Sequence, residues 1–127
     1  MTITHQVHDS FKLFAGKLDA AGHIGDLAKQ VSAWAASAKV APKSIGIEFL
    51  EHSKQVIMSI GYRSDEASYG ISIASTKIGK IEKLDAAELV KLEGALGNAA
   101  DNQENVICHE LYVTDANELY MVTMSHA

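Results

Sequence analysis

The chain has a single cysteine, a single proline and few aromatic residues. With only Cys108, no intramolecular disulfide is possible, so stability must come from a packed core. One proline and nine glycines exclude collagen-like and low-complexity chains. No apolar run is long enough to cross a bilayer. The segment Met1 to Ser10 is polar, holds two histidines, and lacks the charged and apolar regions of a signal peptide. A cytoplasmic location is therefore expected. Basic residues are also scarce: 11 against 16 acidic, a net charge of −5. Nowhere do they cluster more tightly than Lys77, Lys80 and Lys83. That argues against non-specific nucleic-acid binding and against attachment to an anionic membrane. The chain contains no P-loop, dinucleotide fingerprint, CxxC, nucleophile elbow or EF-hand loop.

What remains is ordinary for one globular domain of 127 residues, with 47% hydrophobic and 21% charged residues. Residues 1–41 read as a helical N-terminal region. Ile3, Val7, Phe11, Phe14 and Leu18 form one apolar stripe, predicting a helix over 3–20. Gly22 and Gly25 interrupt it. Ile24, Leu27, Ala28, Val31, Trp34, Ala35 and Ala38 start a second stripe, which Pro42 ends. From residue 44 to 79 the period falls to two. Three runs, around Ile45–Phe49, Val56–Tyr62 and Tyr69–Ile73, alternate large apolar with small or hydroxylated residues. Polar breaks separate them, which predicts a three-strand meander with one covered face. Helix returns over 85–100. Asp85 and Glu88 have capping-box spacing, and Leu84 and Leu89 occupy staple positions. Gly94 and Gly97 each weaken that helix by roughly 1 kcal/mol relative to alanine. Close packing on the sheet, or early termination, explains them on this reading. Two strands over 105–125 close the chain as a hairpin. The expected fold is α+β: a single domain with one five-stranded, mostly antiparallel sheet, helices on one face, and order α(α)-β-β-β-α-β-β. No internal repeat is visible.

Several residue groups carry chemistry in principle. Cys108, His109 and Glu110 offer thiol, imidazole and carboxylate, but in a strand His109 points away from the other two. Cys108 and Glu110, with Tyr62, Tyr69, Tyr112 and Tyr120, are candidates for a ligand site on a sheet face. His5 and His8 share a helix face on this reading and are the weak metal-ligand candidates. Gly22 to Gly25 has the letters of a KH-type GxxG loop without the strand and basic context that loop needs. Glu51, His52 and Ser53 have triad letters, but adjacent residues cannot adopt triad geometry. No catalytic residue and no cofactor is assigned.

Charge placement is the strongest remaining signal. Residues 1–63 are net +2, whereas residues 64–127 are net −7. Glu82, Asp85, Glu88, Glu93, Asp101, Glu104, Asp115 and Glu118 are the expected partner-binding residues. If they share one surface, it steers a basic protein partner. The leading expectation is a non-catalytic protein-binding module, such as a small acidic immunity protein or antitoxin that occludes a basic toxin. The expected element order and size are similar to class I type III secretion chaperones, which are small acidic dimers. That resemblance implies a homodimer as the alternative. A small-ligand or metal protein, possibly an enzyme using the sheet face, is a further alternative.

Overall fold

In a computed structural model, residues 9–50, 53–65 and 70–126 are described. Their order is β1 (Ser10–Gly16), α1 (Gly25–Ala38), β2 (Ala41–Leu50), β3 (Gln55–Arg63), β4 (Ile71–Lys80), α2 (Ala86–Asp101), β5 (Val106–Val113) and β6 (Glu118–His126). The protein is α+β, as expected, but the single five-stranded sheet is replaced by two three-stranded antiparallel sheets. The first has order β1-β3-β2 and the second β4-β6-β5. Each half of the chain thus runs strand–helix–strand–strand, with its third strand inserted between the first two. The repeat of topology has a trace in the residues: Lys17 to Ala21, ahead of α1, and Lys83 to Ala87, entering α2, both read Lys-Leu-Asp-Ala-Ala, so the expectation of no internal repeat is corrected.

The helix expected over 3–20 is corrected by β1, which pairs antiparallel with β3. Phe11, Phe14 and Leu18 are spaced for a helix, but Ser10, Phe14 and Gly16 also alternate. The register opposes Phe14 to Met58 and Gly16 to Val56, so pairing with a buried strand overrides local periodicity. Residues 1–8 lie outside the described residues. The expected meander is corrected too: β2 and β3 form a hairpin, and the third run leaves to pair with β6 as β4. Pro42 does not end α1. The helix stops at Ala38 with Lys39 left-handed, and Pro42 lies in β2 beside a register shift, where a strand tolerates proline.

The helices do not share one face either. Leu27, Val31 and Ala35 of α1 are fully buried with Phe14, Ile45, Met58 and Ile60 of the first sheet. The same cluster includes Ile71, Ile73, Tyr112, Tyr120, Val122 and Met124 from the inner face of the second sheet. β2 and β5 run beside one another, while α1 lies against the outermost strands, β1 and β4. Both sheets therefore curve around α1. Burying these side chains is the main source of stability. Helix α2 lies on the opposite face of the second sheet. There Leu92, Leu119 and Met121 are buried apart from the main cluster.

The start of α2 follows its sequence signal. Asp85 is extended, and its Oδ1 accepts the Glu88 N–H at 2.9 Å. Replacing Asp85 with alanine is expected to cost about 1 kcal/mol, and with asparagine little. Urea denaturation of the two variants checks this. The staple residues do not bury one another: Leu84 and Leu89 are 73% and 47% exposed.

Candidate functional site

The eight expected partner-binding carboxylates fall into two groups along α2. The connection between β4 and α2 is tied to the β5–β6 turn by the Ile81 N–H, which donates to the Asn117 carbonyl at 2.7 Å. That contact brings Glu82 and Asp85 to the same end of the molecule as Asp115 and Glu118. Lysines answer three of these. Lys54 meets Asp115 at 3.0 Å, Lys83 meets Asp85 at 3.5 Å, and Lys77 pairs with Glu118. These pairs are surface pairs, worth little individually. Asp101 and Glu104 lie at the other end of α2. Sixteen residues of helix separate the ends by about 24 Å. Glu93 lies between them, and Glu88 is half-buried toward the sheet side. Glu82, Glu93, Asp101 and Glu104 are exposed and make no ion pair among the described residues. The negative surface therefore follows the helix, and lysines offset the hairpin turn.

The solvent side of α2 is not an ordinary polar face. Leu92 points to the sheet, with Ala95, Leu96, Ala99 and Ala100 half-buried around it. On the other side, Ala87, Val90, Gly94, Gly97 and Asp101 recur at spacings of three and four, and all five are exposed. Val90 is 66% exposed. A Cβ added at Gly94 or Gly97 meets nothing within 4 Å. The expectation that these glycines permit close packing on the sheet, or end the helix early, is corrected. They sit inside the helix and face outward.

A cleft of about 340 Å³ opens where the β1–α1, β2–β3 and β5–β6 connections meet. Phe49, Lys17, Lys54, Thr114 and Asp115 are among its walls, together with the 18–22 segment. That segment is locked from within. Asp19 Oδ1 accepts the N–H groups of Ala21 and His23, both at 2.9 Å. The hydroxyl of Tyr120 donates to the Ala21 carbonyl at 2.5 Å, and that of Tyr112 to the Gly22 carbonyl at 2.7 Å. The two tyrosine rings stack at 5.2 Å and 6°. His23 Nδ1 lies 2.8 Å from Ser75 Oγ, which also accepts the Ile24 N–H at 3.3 Å. Sequence reasoning missed this arrangement, because it joins residues 19–24 to 75, 112 and 120 through the fold. Gly22–Gly25 is thus a strand-to-helix connection rather than a turn between two helices.

The other expected chemistry does not converge. Cys108 and Glu110 are half-buried on one face of β5 and His109 is exposed on the other, as alternation predicted. Tyr112 and Tyr120 hold the 18–22 segment, while Tyr62 meets the edge of Trp34. Tyr69, His5, His8, Glu51 and His52 lie outside the described residues. Among the described residues, no group of three or more potential metal ligands assembles, and no helix is long and apolar enough to cross a membrane.

Burial, then the Glu110 charge, pushes the Cys108 thiol up to about 11, and burial pushes the Tyr112 hydroxyl up to about 12. The folded state therefore holds both protons more tightly than the unfolded chain, whose values lie near 9.0 and 10.0. Their contribution to stability is complete below pH 9.0 and is lost as pH rises toward 12. Two results are expected. Urea midpoints fall over that alkaline range, and Cys108 reacts slowly with a disulfide reagent at pH 8 until the protein is unfolded.

The first sheet carries a further apolar surface among the described residues. On the outer face of the first sheet, Phe11 and Leu13 are 64% and 65% exposed, with Ile57 nearby on β3. Small residues at Gly46, Ser59 and Gly61 make this face flat. A Cβ at Gly46 would approach Ser59 Oγ to 2.6 Å. Compared with known protein families, with curated proteins and with solved structures, the chain matches none.

Proposed function

We propose that the protein is a protein-binding module whose partner is basic, with α2 as the recognition element. The observation that carries this reading is the distribution of exposed carboxylates without lysine partners. Glu82, Glu93, Asp101 and Glu104 run from one end of α2 to the other. Such an array raises the association rate of a positively charged partner and orients it along the helix. Occlusion of a basic toxin by an immunity protein is the form of this function that fits a small acidic domain. Asp85, Asp115 and Glu118 contribute less on this reading, because Lys83, Lys54 and Lys77 already offset them. Cross-linking capture from the source cell tests it. A recovered partner with a basic contact surface is expected, and an acidic or neutral one contradicts the reading.

The flat apolar face of Phe11, Leu13 and Ile57 favours a second reading, a homodimer of the chaperone type. Two such faces exclude water from one another without opposing many charges. Light scattering that shows a monomer at high concentration removes it.

A further inference from the structure

The cleft between the β1–α1, β2–β3 and β5–β6 connections offers donors that the fold itself leaves unpaired. Three carboxylates and two lysines are among its walls. Each carboxylate already has a partner within the chain. Asp19 accepts two backbone N–H groups, Asp115 meets Lys54, and Glu118 pairs with Lys77. Lys54 is thereby occupied as well. Lys17 is not: it is exposed and makes no ion pair or hydrogen bond among the described residues. Thr114 supplies a second unpaired donor. It keeps only 7% exposure, so it is more than nine-tenths buried. Its Oγ1 accepts the Glu118 N–H at 3.2 Å, yet its own O–H meets no acceptor among the described residues. A buried donor without an acceptor is unfavourable, and a ligand oxygen relieves it. Phe49 and Leu18 give the same cleft an apolar wall.

We infer that this cleft binds a small organic anion, a monocarboxylate with an aromatic or aliphatic body. The flexible Lys17 side chain closes on the carboxylate, the Thr114 hydroxyl donates to it, and Phe49 and Leu18 cover the body. A volume of about 340 Å³ lies within the range of small-molecule sites. One wall is fixed before binding, because the Tyr112 and Tyr120 hydroxyls hold the Gly22 and Ala21 carbonyls. A wall already ordered loses little conformational freedom when a ligand enters. The sign of the ligand follows from the partners in place. An ammonium group finds no free carboxylate here, whereas an anion finds a free cation and a free donor. A neighbouring hollow of about 370 Å³ shares Lys17, but there Asp26 offsets Lys29, so it does not favour an anion. None of Glu82, Glu93, Asp101 and Glu104 lines the cleft, so the basic-partner reading does not depend on it.

The test uses the full chain, isotope-labelled and titrated with phenylacetate while amide shifts are followed by NMR. Phenylacetamide, acetate and phenethylammonium are the comparison compounds. They remove the charge, remove the apolar body and reverse the sign, in that order. Phenylacetate is expected to shift residues 17–22, 49, 54 and 114–118, with a dissociation constant of about 1 mM, the scale that about ten heavy atoms allow. The three comparison compounds are expected to bind at least about tenfold more weakly. Lys17→Met keeps the apolar stem and is expected to weaken phenylacetate binding by about tenfold. Thr114→Val is expected to weaken it by a similar factor, and Thr114→Ser to restore it, which a purely structural threonine does not predict. If Thr114→Val fails to fold, Lys17→Met decides alone. Equal binding of phenylacetamide overturns the anion, and equal binding of acetate overturns the apolar body. Tighter binding of phenethylammonium overturns the sign. Absence of phenylacetate binding, shifts confined to other residues, or unchanged affinity in Lys17→Met overturns the site.

Discussion

Replacing Gly22 with alanine is expected to destabilise the protein by about 2–4 kcal/mol, one of the largest losses from adding a single methyl group. Gly22 has φ +91°, where an L side chain is strained. An added Cβ would also lie 2.8 Å from the Tyr120 hydroxyl and 3.1 Å from Cζ. Tyr120 is 1% exposed and stacked on Tyr112, so its ring cannot simply swing away. Relief requires the 18–22 segment to move and to lose its hydrogen bonds from both tyrosines. Tyr120→Phe removes the closest atom of the clash. In urea denaturation, Gly22→Ala combined with Tyr120→Phe should therefore cost less than the sum of the single changes. Strict additivity would show that the methyl group and the hydroxyl do not meet.

Leu27→Ala is expected to cost about 2–5 kcal/mol. Leu27 is fully buried where α1 meets β1, with its Cδ2 3.3 Å from the position a Gly16 Cβ would take. It belongs to the cluster shared by both sheets, so the cavity has little room to collapse. Leu92→Ala on α2 should cost less, because the buried set around it is small and Leu92 keeps 7% exposure. Equal losses at the two positions, measured by the same denaturation, would contradict the placement of the main core around α1.

The two helices over 25–38 and 86–101, the β2–β3 hairpin and the β5–β6 hairpin were all legible from periodicity, turn residues and the Asp85 cap. β1 was not. Phe11, Phe14 and Leu18 satisfy a helical stripe as well as a strand, and the partner that decides between them lies some forty residues away on β3. The destination of β4 was equally hidden. Alternation at Ile71 and Ile73 says that one face is covered, but not which strand lies alongside. For the same reason the acidic residues read as one surface, although the length of α2 separates them and lysines from the β2–β3 turn, from β4 and from the β4–α2 connection reach some of them. Gly94 and Gly97 stood out in the sequence. Their direction did not, because only the position of Leu92 fixes which side of the helix meets the sheet.

The central claim is that the exposed carboxylates along α2 bind a basic partner. It is tested most directly by the salt dependence of the dissociation constant for the captured partner. The wild type is compared with a variant carrying Glu82→Gln, Glu93→Gln, Asp101→Asn and Glu104→Gln. Wild-type affinity is expected to fall about tenfold between about 50 mM and about 500 mM salt. The variant should bind more weakly at low salt and show a much flatter dependence. Identical affinities and identical salt dependence for the two proteins would contradict the claim.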